Sequence, residues 1–384
     1  MTRISVVPGA GKRAATKNGT SRRRFLTGGA AVAAAGVATL AMPNVSRAQT
    51  VTWRFQSTWG ATDIFHEYAQ DYVKRVNEIS GNRFKLELLA ANAVVGAFQV
   101  MDATHSGALD GSHGVTAYWY GKHKAASLFG TAAPLGWDAN QLLGWFYYGG
   151  GTALYNELIG TNLKLSVVGY LTGPMPTQPL GWFKKDIRSA DDLRGLKFRT
   201  VGLAGDLFTE MGLAVTNIPG GEVVPAIQRG VLDAAEFNNP SSDRAYGMPD
   251  VSKLYILGSY HQRVECFEVL FNKTKHDALP AEIKATLRYA AEAASADMSW
   301  KQQDRYPRDL QEMKDKQGVK TARTPDAVLQ AQLNAWNKVL ADLEKDAFTK
   351  KVIDSQRAWV KRVVGFYREY DTPNELAWNH FNRA

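Results

Sequence analysis

The chain has a single cysteine, Cys266, among 384 residues. That excludes an intrachain disulfide and any zinc or iron–sulfur site built from several thiolates. Residues 1–48 contain no acidic side chain, yet they hold eight basic ones: Arg3, Lys12, Arg13, Lys17, Arg22, Arg23, Arg24 and Arg47. The formal charge of +9 therefore misleads, because the rest of the chain carries 38 basic against 37 acidic side chains. A body this close to neutral lacks the basic face expected of a nucleic-acid binder. Beyond residue 48 there is no uncharged apolar run long enough to span a bilayer, no internal repeat and no low-complexity tract. Core material is plentiful, with 45% hydrophobic and 11% aromatic residues. That suits two lobes better than one domain and fits no disordered class.

The absence of acid at the front frames a motif. Residues 21–27 read Ser-Arg-Arg-Arg-Phe-Leu-Thr, an uncharged Ala/Gly/Val-rich stretch follows, and Ser46-Arg47-Ala48 has the small-x-small pattern of a cleavage site. Paired arginines, then Phe-Leu, then a weakly apolar run predict a twin-arginine signal peptide over residues 1–48. The mature protein then begins at Gln49 and works in the periplasm. A retained membrane anchor is the weaker reading, because Gly, Thr, Pro, Asn and Ser interrupt the run.

From Val51 onward, hydrophobic periods of 2 and 3.6 alternate. Val51, Trp53 and Phe55 mark one strand, and Phe84, Leu86 and Leu88 another. Ile64, Phe65, Tyr68, Tyr72, Val73, Val76 and Ile79 between them read as an amphipathic helix closed by a Gly81-Asn82 turn. The result is a βαβ unit. Leu196–Thr200, Ala214–Ile218, Leu232–Phe237 and Cys266–Lys273 are further predicted strands, with helices over Ala204–Met211 and Glu222–Arg229. A long helix runs from Pro280 to about Lys316, kinked at Pro307, and Thr324-Pro325 caps the next. Val352–Tyr370 is a helix rich in aromatics.

The expected fold is α/β with two lobes, each a mixed sheet flanked by helices, a long helix spanning both, and helices at the C-terminus. Lobe 1 takes residues 49–168 with about 263–306. Lobe 2 takes 169–262 with about 307–345, and 346–384 form a C-terminal segment able to meet a second copy. Ligands of such sheets sit beyond the carboxyl ends of the strands, which draws attention to Arg199, Glu236 and Phe237.

Catalytic motifs fail one after another. Gly9-Ala10-Gly11-Lys12 lacks the earlier glycine of a phosphate loop. In His66-Glu67-Tyr68-Ala69-Gln70, glutamine replaces the second metal-binding histidine. Gly111-Ser112-His113-Gly114 follows Asp110 where a nucleophile elbow needs glycine, and Gly149-Gly150-Gly151 has no Lys-Ser/Thr behind it. No set of acid, base and nucleophile remains, so the chain reads as a binder and not an enzyme.

Four segments then carry a resemblance: Asp191-Asp192-Leu193-Arg194-Gly195-Leu196-Lys197-Phe198-Arg199, Gly220-Gly221-Glu222-Val223-Val224-Pro225-Ala226-Ile227-Gln228-Arg229-Gly230, Leu232-Asp233-Ala234-Ala235-Glu236, and the export signal. Together they resemble the extracytoplasmic solute receptors of tripartite ATP-independent periplasmic (TRAP) transporters, of the DctP type, over nearly the whole mature length. Val51-Thr52-Trp53-Arg54, Trp119-Tyr120-Gly121-Lys122 and Gly149-Gly150-Gly151 are most similar to the branch that binds 2-oxo acids.

The resemblance implies a receptor for a small organic acid, handing it to the membrane permease subunits. It places Arg199 on the ligand carboxylate, where a guanidinium fork supplies two charge-assisted hydrogen bonds. It also implies a cation, Na⁺ or Ca²⁺, bridging receptor and ligand through Gln178, Glu236, Phe237 and Gln262. Gln262 stands where the family has a glutamate, which removes one negative charge. Tyr118 and Trp119, with Trp59 and Trp182, are expected as apolar walls. Gln178 in place of arginine speaks against the sialic-acid branch. Two other readings remain open: an exported oxidoreductase, which the missing cysteine cluster and dinucleotide turn disfavour, and a ligand-sensing protein of a two-component system.

Overall fold

The computed structural model describes residues 50–382, residue 82 excepted. The signal-peptide reading of residues 1–48, the start at Gln49 and Asn82 of the expected turn lie outside them. Among the described residues no helix is long and apolar enough to cross a membrane.

Among the described residues eleven strands form two mixed sheets: β1 Val51–Ser57, β2 Phe84–Leu89, β3 Gly111–Gly114, β4 Val167–Met175, β5 Gly181–Phe183, β6 Lys197–Arg199, β7 Ala214–Thr216, β8 Ala234–Ala235, β9 Leu254–Leu257, β10 Glu265–Asn272 and β11 Lys320–Arg323. The first sheet runs β2-β1-β3-β10-β4 and the second β11-β9-β5-β8-β6-β7. The predicted βαβ unit is present. β1 and β2 pair in parallel, Val51 opposite Phe84 and Phe55 opposite Leu88, and the connecting helix Ile64–Ile79 is capped by the Asp63 carboxylate, which accepts from Phe65 N. Trp53 meets Phe84 edge-on with ring centroids 4.8 Å apart, so the inward row of β1 seals one face of the sheet.

The chain crosses between sheets three times: after β4, again between β9 and β10, and through the helix Ala281–Gln317 into β11. That helix has 37 residues, with Pro280 at its N-cap and Pro307 inside it. At 1.5 Å per residue it is about 55 Å long. β4 stays in the first sheet as far as Met175, because its antiparallel ladder with β10 runs from Val167 opposite Asn272 to Met175 opposite Glu265. The expected lobe boundary at residue 168 therefore falls inside a strand. Thr324 does not cap the next helix. Its hydroxyl donates to the carbonyls of Leu257 and Gly258, and Pro325 takes the N-cap position before Asp326–Leu343.

Strand β8 is shorter than the expected Leu232–Phe237. The Glu236 carbonyl accepts from the Arg199 guanidinium at 3.1 Å, so the backbone leaves the ladder where the side-chain chemistry begins. At the other end of the chain, helix Ala347–Tyr370 buries Phe348, Val352 and Ile353. Trp359 Nε1 donates to Gln141 O at 3.0 Å. Beyond that point Phe366, Tyr367 and Tyr370 are exposed, and the last helix, Asn374–Phe381, buries nothing.

Candidate functional site

Arg199 ends β6 and is one of the largest fully buried side chains of the protein, 1% exposed. Its position follows from its strand: Arg199 pairs with Ala235 on one side and Thr216 on the other, at the carboxyl edge of the second sheet. Nε donates to Ile218 O at 2.9 Å. Nη1 donates to the carbonyl of Glu236 and to its carboxylate Oε1, each at 3.1 Å. The guanidinium also lies 5.4 Å from the centroid of the Phe237 ring, a cation–π contact that strengthens in a dry setting.

Around this charge is a small enclosed cavity of about 10 Å³, room for one water-sized sphere, lined by Trp59, Tyr118, Gln178, Arg199, Phe237, Asn238 and Glu265 together with Phe65, Val115 and Val201. Five of the expected residues, Trp59, Tyr118, Gln178, Arg199 and Phe237, thus line one space. Glu236 joins them through its ion pair with Arg199. Gln262 is one step behind: its carbonyl accepts from Gln178 N at 3.1 Å.

Two expected walls lie elsewhere. Trp119 is buried in a separate core, its ring 6.0 Å from that of Tyr155. Its indole lies close to the buried Glu268 carboxyl, which accepts from the Tyr155 hydroxyl. Trp182 stacks on Tyr255 at 4.1 Å and donates to Asp243 Oδ2 at 2.7 Å. The Trp182 N–H has found a carboxylate, and the Trp119 ring is packed among apolar neighbours.

Glu265 and Asn238 escaped the sequence reading. Glu265 Oε2 accepts from Gln178 Nε2 at 2.8 Å and from Asn238 Nδ2 at 2.6 Å. The signal was a glutamate at the start of a fully buried strand, three positions after Gln262. A charged group in such a strand needs partners or a ligand.

The electrostatics are those of a crowded, dry site. Burial pushes the Glu236 carboxyl up to about 8, although the Arg199 charge pulls it down. Burial likewise raises Glu265 to about 7, against hydrogen bonds from Gln178 and Asn238. His261 nearby is pushed down to about 3 by burial and by Arg199, which keeps it neutral. Three buried oxygens, Gln178 Oε1, Glu236 Oε2 and Gln262 Oε1, have no well-formed hydrogen bond, though the Thr200 hydroxyl lies close to Glu236. Unpartnered oxygens beside raised carboxylates are the donor set a hard cation accepts. No cluster of three or more His, Cys, Asp or Glu suited to a metal exists among the described residues, so any such ion here depends on amide oxygens.

Two α/β halves around a buried arginine, whose cavity is lined by no serine, threonine, cysteine or lysine, have the build of a solute-binding protein. Comparison with known proteins agrees: residues 55–346 match the DctP model, bacterial extracellular solute-binding protein, family 7. The chain belongs to that family, the extracytoplasmic receptors of TRAP transporters, which are receptors and not enzymes.

It is 30% identical over 367 residues to a monocarboxylate 2-oxoacid-binding periplasmic protein of Nostoc, covering 94% of this chain and 98% of that one. Among solved structures, a TRAP solute-binding protein of Bordetella bronchiseptica, a dimer with calcium and picolinate, superposes with a TM-score of 0.81 at 26% identity, over 86% of this chain and 97% of that one. One from Pseudoalteromonas atlantica, with sodium and pyruvate, gives 0.79 at 28% identity over 87% and 100%. One from Colwellia psychrerythraea, with calcium and pyruvate, gives the same values.

Proposed function

We propose that the protein captures a 2-oxo or 2-hydroxy monocarboxylate in the cleft between its two halves and delivers it to a TRAP membrane permease. The observation that carries this reading is Arg199, a fully buried cation at the end of β6 facing an enclosed cavity. A guanidinium fixed by Ile218 and Glu236 is pre-organised for a ligand carboxylate, and little side-chain entropy remains to be lost. Gln178, Glu236, the carbonyl of Phe237 and Gln262, with Glu265 beside them, would hold Na⁺ or Ca²⁺. Such an ion would supply the positive charge that keeps Glu236 ionised next to a ligand oxygen. The similar proteins with calcium or sodium beside pyruvate or picolinate support the same reading.

Calorimetry with pyruvate, in chelator and in excess Ca²⁺, tests it. Wild-type protein is expected to bind more tightly with Ca²⁺. Glu236→Gln should abolish that dependence, because it removes a carboxylate ligand. A Glu236→Gln variant that keeps the full Ca²⁺ effect overturns the ion assignment, and a wild type that binds no 2-oxo acid overturns the substrate class.

The reading includes twin-arginine export. Replacing Arg22 and Arg23 by Lys is expected to leave precursor in the cytoplasm, and normal export of that variant would reject the route. It also includes a hinge between residues 49–175 and the second sheet, and a second copy of the chain meeting the C-terminal helices.

A further inference from the structure

The two halves meet through a short stretch of chain from each. The first half contributes Gly60 to Asp63, the turn that leads into helix Ile64–Ile79. The second contributes the helix Pro240–Ala245, which follows β8, and Tyr246 at its end. Asp63 Oδ1, which caps Phe65 N, also accepts from the Ser242 hydroxyl at 2.8 Å. Gly60 N donates to the Tyr246 hydroxyl at 3.4 Å, and that hydroxyl lies close to the Asp63 carboxyl. Asp63 and Ser242 are both buried, so water competes little for the contact and its hydrogen bond is strengthened.

Tyr246 faces the ligand side as well. Its ring meets Phe237 edge-on, centroids 4.8 Å apart at 76°, and Phe237 lies against the Arg199 guanidinium. One intervening ring thus joins the arginine to a residue that touches the opposite half.

The long helix Ala281–Gln317 shows where the contact can open. Ahead of Pro307 it holds the first half. Lys301 Nζ donates to Glu67 at 3.0 Å, Arg305 Nη1 donates to the same carboxylate at 3.3 Å, and the hydroxyls of Tyr306 and Tyr68 meet at 3.2 Å. Beyond Pro307 it holds the second half, where Asp309 accepts from the Ser241 hydroxyl and, at 3.0 Å, from Arg244 Nη1. Pro307 has no N–H for the preceding turn, so the helix bends most easily between these two sets of contacts.

We infer that Asp63, Ser242 and Tyr246 form a clasp that holds the halves shut on a bound ligand. Pro307 is the point of bending, and Tyr246 is the positioning residue that ties the clasp to Arg199. The inference rests on the capture of a 2-oxo acid proposed above and adds what sets the ligand's residence time. Bending at Pro307 draws Ser242 away from Asp63 and leaves each set of ion pairs on the long helix in place. A contact made only in the closed form slows escape of the ligand and leaves its entry into the open form unchanged.

Stopped-flow tryptophan fluorescence with pyruvate and Ca²⁺ tests it on wild type, Ser242→Ala, Asp63→Asn, the double variant and Tyr246→Phe. Asparagine keeps an oxygen for Phe65 N, so the helix stays capped. Each single variant is expected to release pyruvate about three- to tenfold faster, the scale of one hydrogen bond, with association within about twofold of wild type. Ser242→Ala and Asp63→Asn act on one contact, so the double variant should release pyruvate no faster than the worse single one. Ligand-free melting temperatures confirm that each variant folds.

Unchanged release in any of the three single variants overturns the clasp as drawn. So does a double variant in which the two effects multiply, or a set of variants that lose affinity through slower association. A wild type that binds no 2-oxo acid overturns the function proposed above, and the clasp's role with it.

Discussion

Arg199 and Glu236 form an ion pair at 3.1 Å with side chains 1% and 0% exposed. Each end is also held by something else: Arg199 by the Ile218 carbonyl, Glu236 by its position directly after β8. Such a pair adds little net stability, since desolvation offsets most of its Coulomb gain, but breaking it strands a buried charge. It is better understood as a way to hold a guanidinium ready.

The first prediction concerns the arginine. Arg199→Ala is expected to abolish carboxylate binding, at a cost of roughly 2–5 kcal/mol for truncating a buried charge pair. Arg199→Lys should rescue little of this, because an ammonium offers a point charge where the site is shaped for a fork. Calorimetry reads the affinities, and thermal scans confirm that each variant folds. Wild-type affinity in Arg199→Ala would sink the anchor assignment.

The second concerns Gly220. A Cβ at this position would lie 2.1 Å from Phe237 Cε2, so even alanine must push the ring off the Arg199 guanidinium. Gly220→Ala is expected to lose about 1–3 kcal/mol of stability, typical of overpacking a tight site, and to weaken ligand binding with it. Gly221→Ala, next door, has no such neighbour and serves as the control. Equal melting temperatures for the two variants would show that Phe237 can move freely.

Much of this was legible in the chain. β1, the helix Ile64–Ile79 and β2 announced themselves through periodicity, because each has one face against a core. Arg199 was readable from its place near the end of the predicted strand Leu196–Thr200 and from the family resemblance, which put it on a ligand carboxylate. Trp119 and Trp182 were not, because a large aromatic has the same sequence signature in a wall and in a core. What decided them was the apolar packing around Trp119 and the position of Asp243, which depend on strand pairing across the fold. Glu265 was missed for the related reason that its partners, Gln178 and Asn238, are distant in sequence and converge only once β10 pairs with β4. β4 itself was missed, and the lobe boundary was placed inside it, because its ladder partner β10 lies about ninety residues away.

A third prediction addresses the C-terminal helices. Phe366, Tyr370, Leu376, Trp378 and Phe381 are 52% to 80% exposed, more apolar surface in one stretch than a monomer usually leaves to water. Sedimentation equilibrium is expected to give a dimer. Tyr370→Asp with Trp378→Asp should give a monomer with unchanged ligand affinity. A monomeric wild type at micromolar concentration contradicts this.

The last prediction is a pH dependence with a definite sign. Burial raises Glu236 to about 8, Glu265 and Asp63 to about 7, and Asp243 to about 6. A carboxyl whose folded pKa lies above its unfolded value binds its proton more tightly when folded. Its contribution to stability is complete below the unfolded value, near 4, and is lost as pH rises through the folded one. The buried histidines His113 and His261, both pushed down to about 3, act oppositely. Their contribution is complete above about 6.5 and is lost as pH falls. Between about pH 6.5 and 8 the histidines complete their change in the lower part of the interval and the more numerous carboxyls dominate. Without ligand and in chelator, the melting temperature should fall across that interval. Glu236→Gln removes one of the two carboxyls raised to about 8, the other being Glu268, and should lessen the fall. Excess Ca²⁺ should flatten it too, since an ion at Glu236 favours the ionised form. Scanning calorimetry at half-unit steps decides the matter, and a melting temperature that rises from pH 6.5 to 8 in chelator would show that these carboxyls are already ionised and compensated within the folded site.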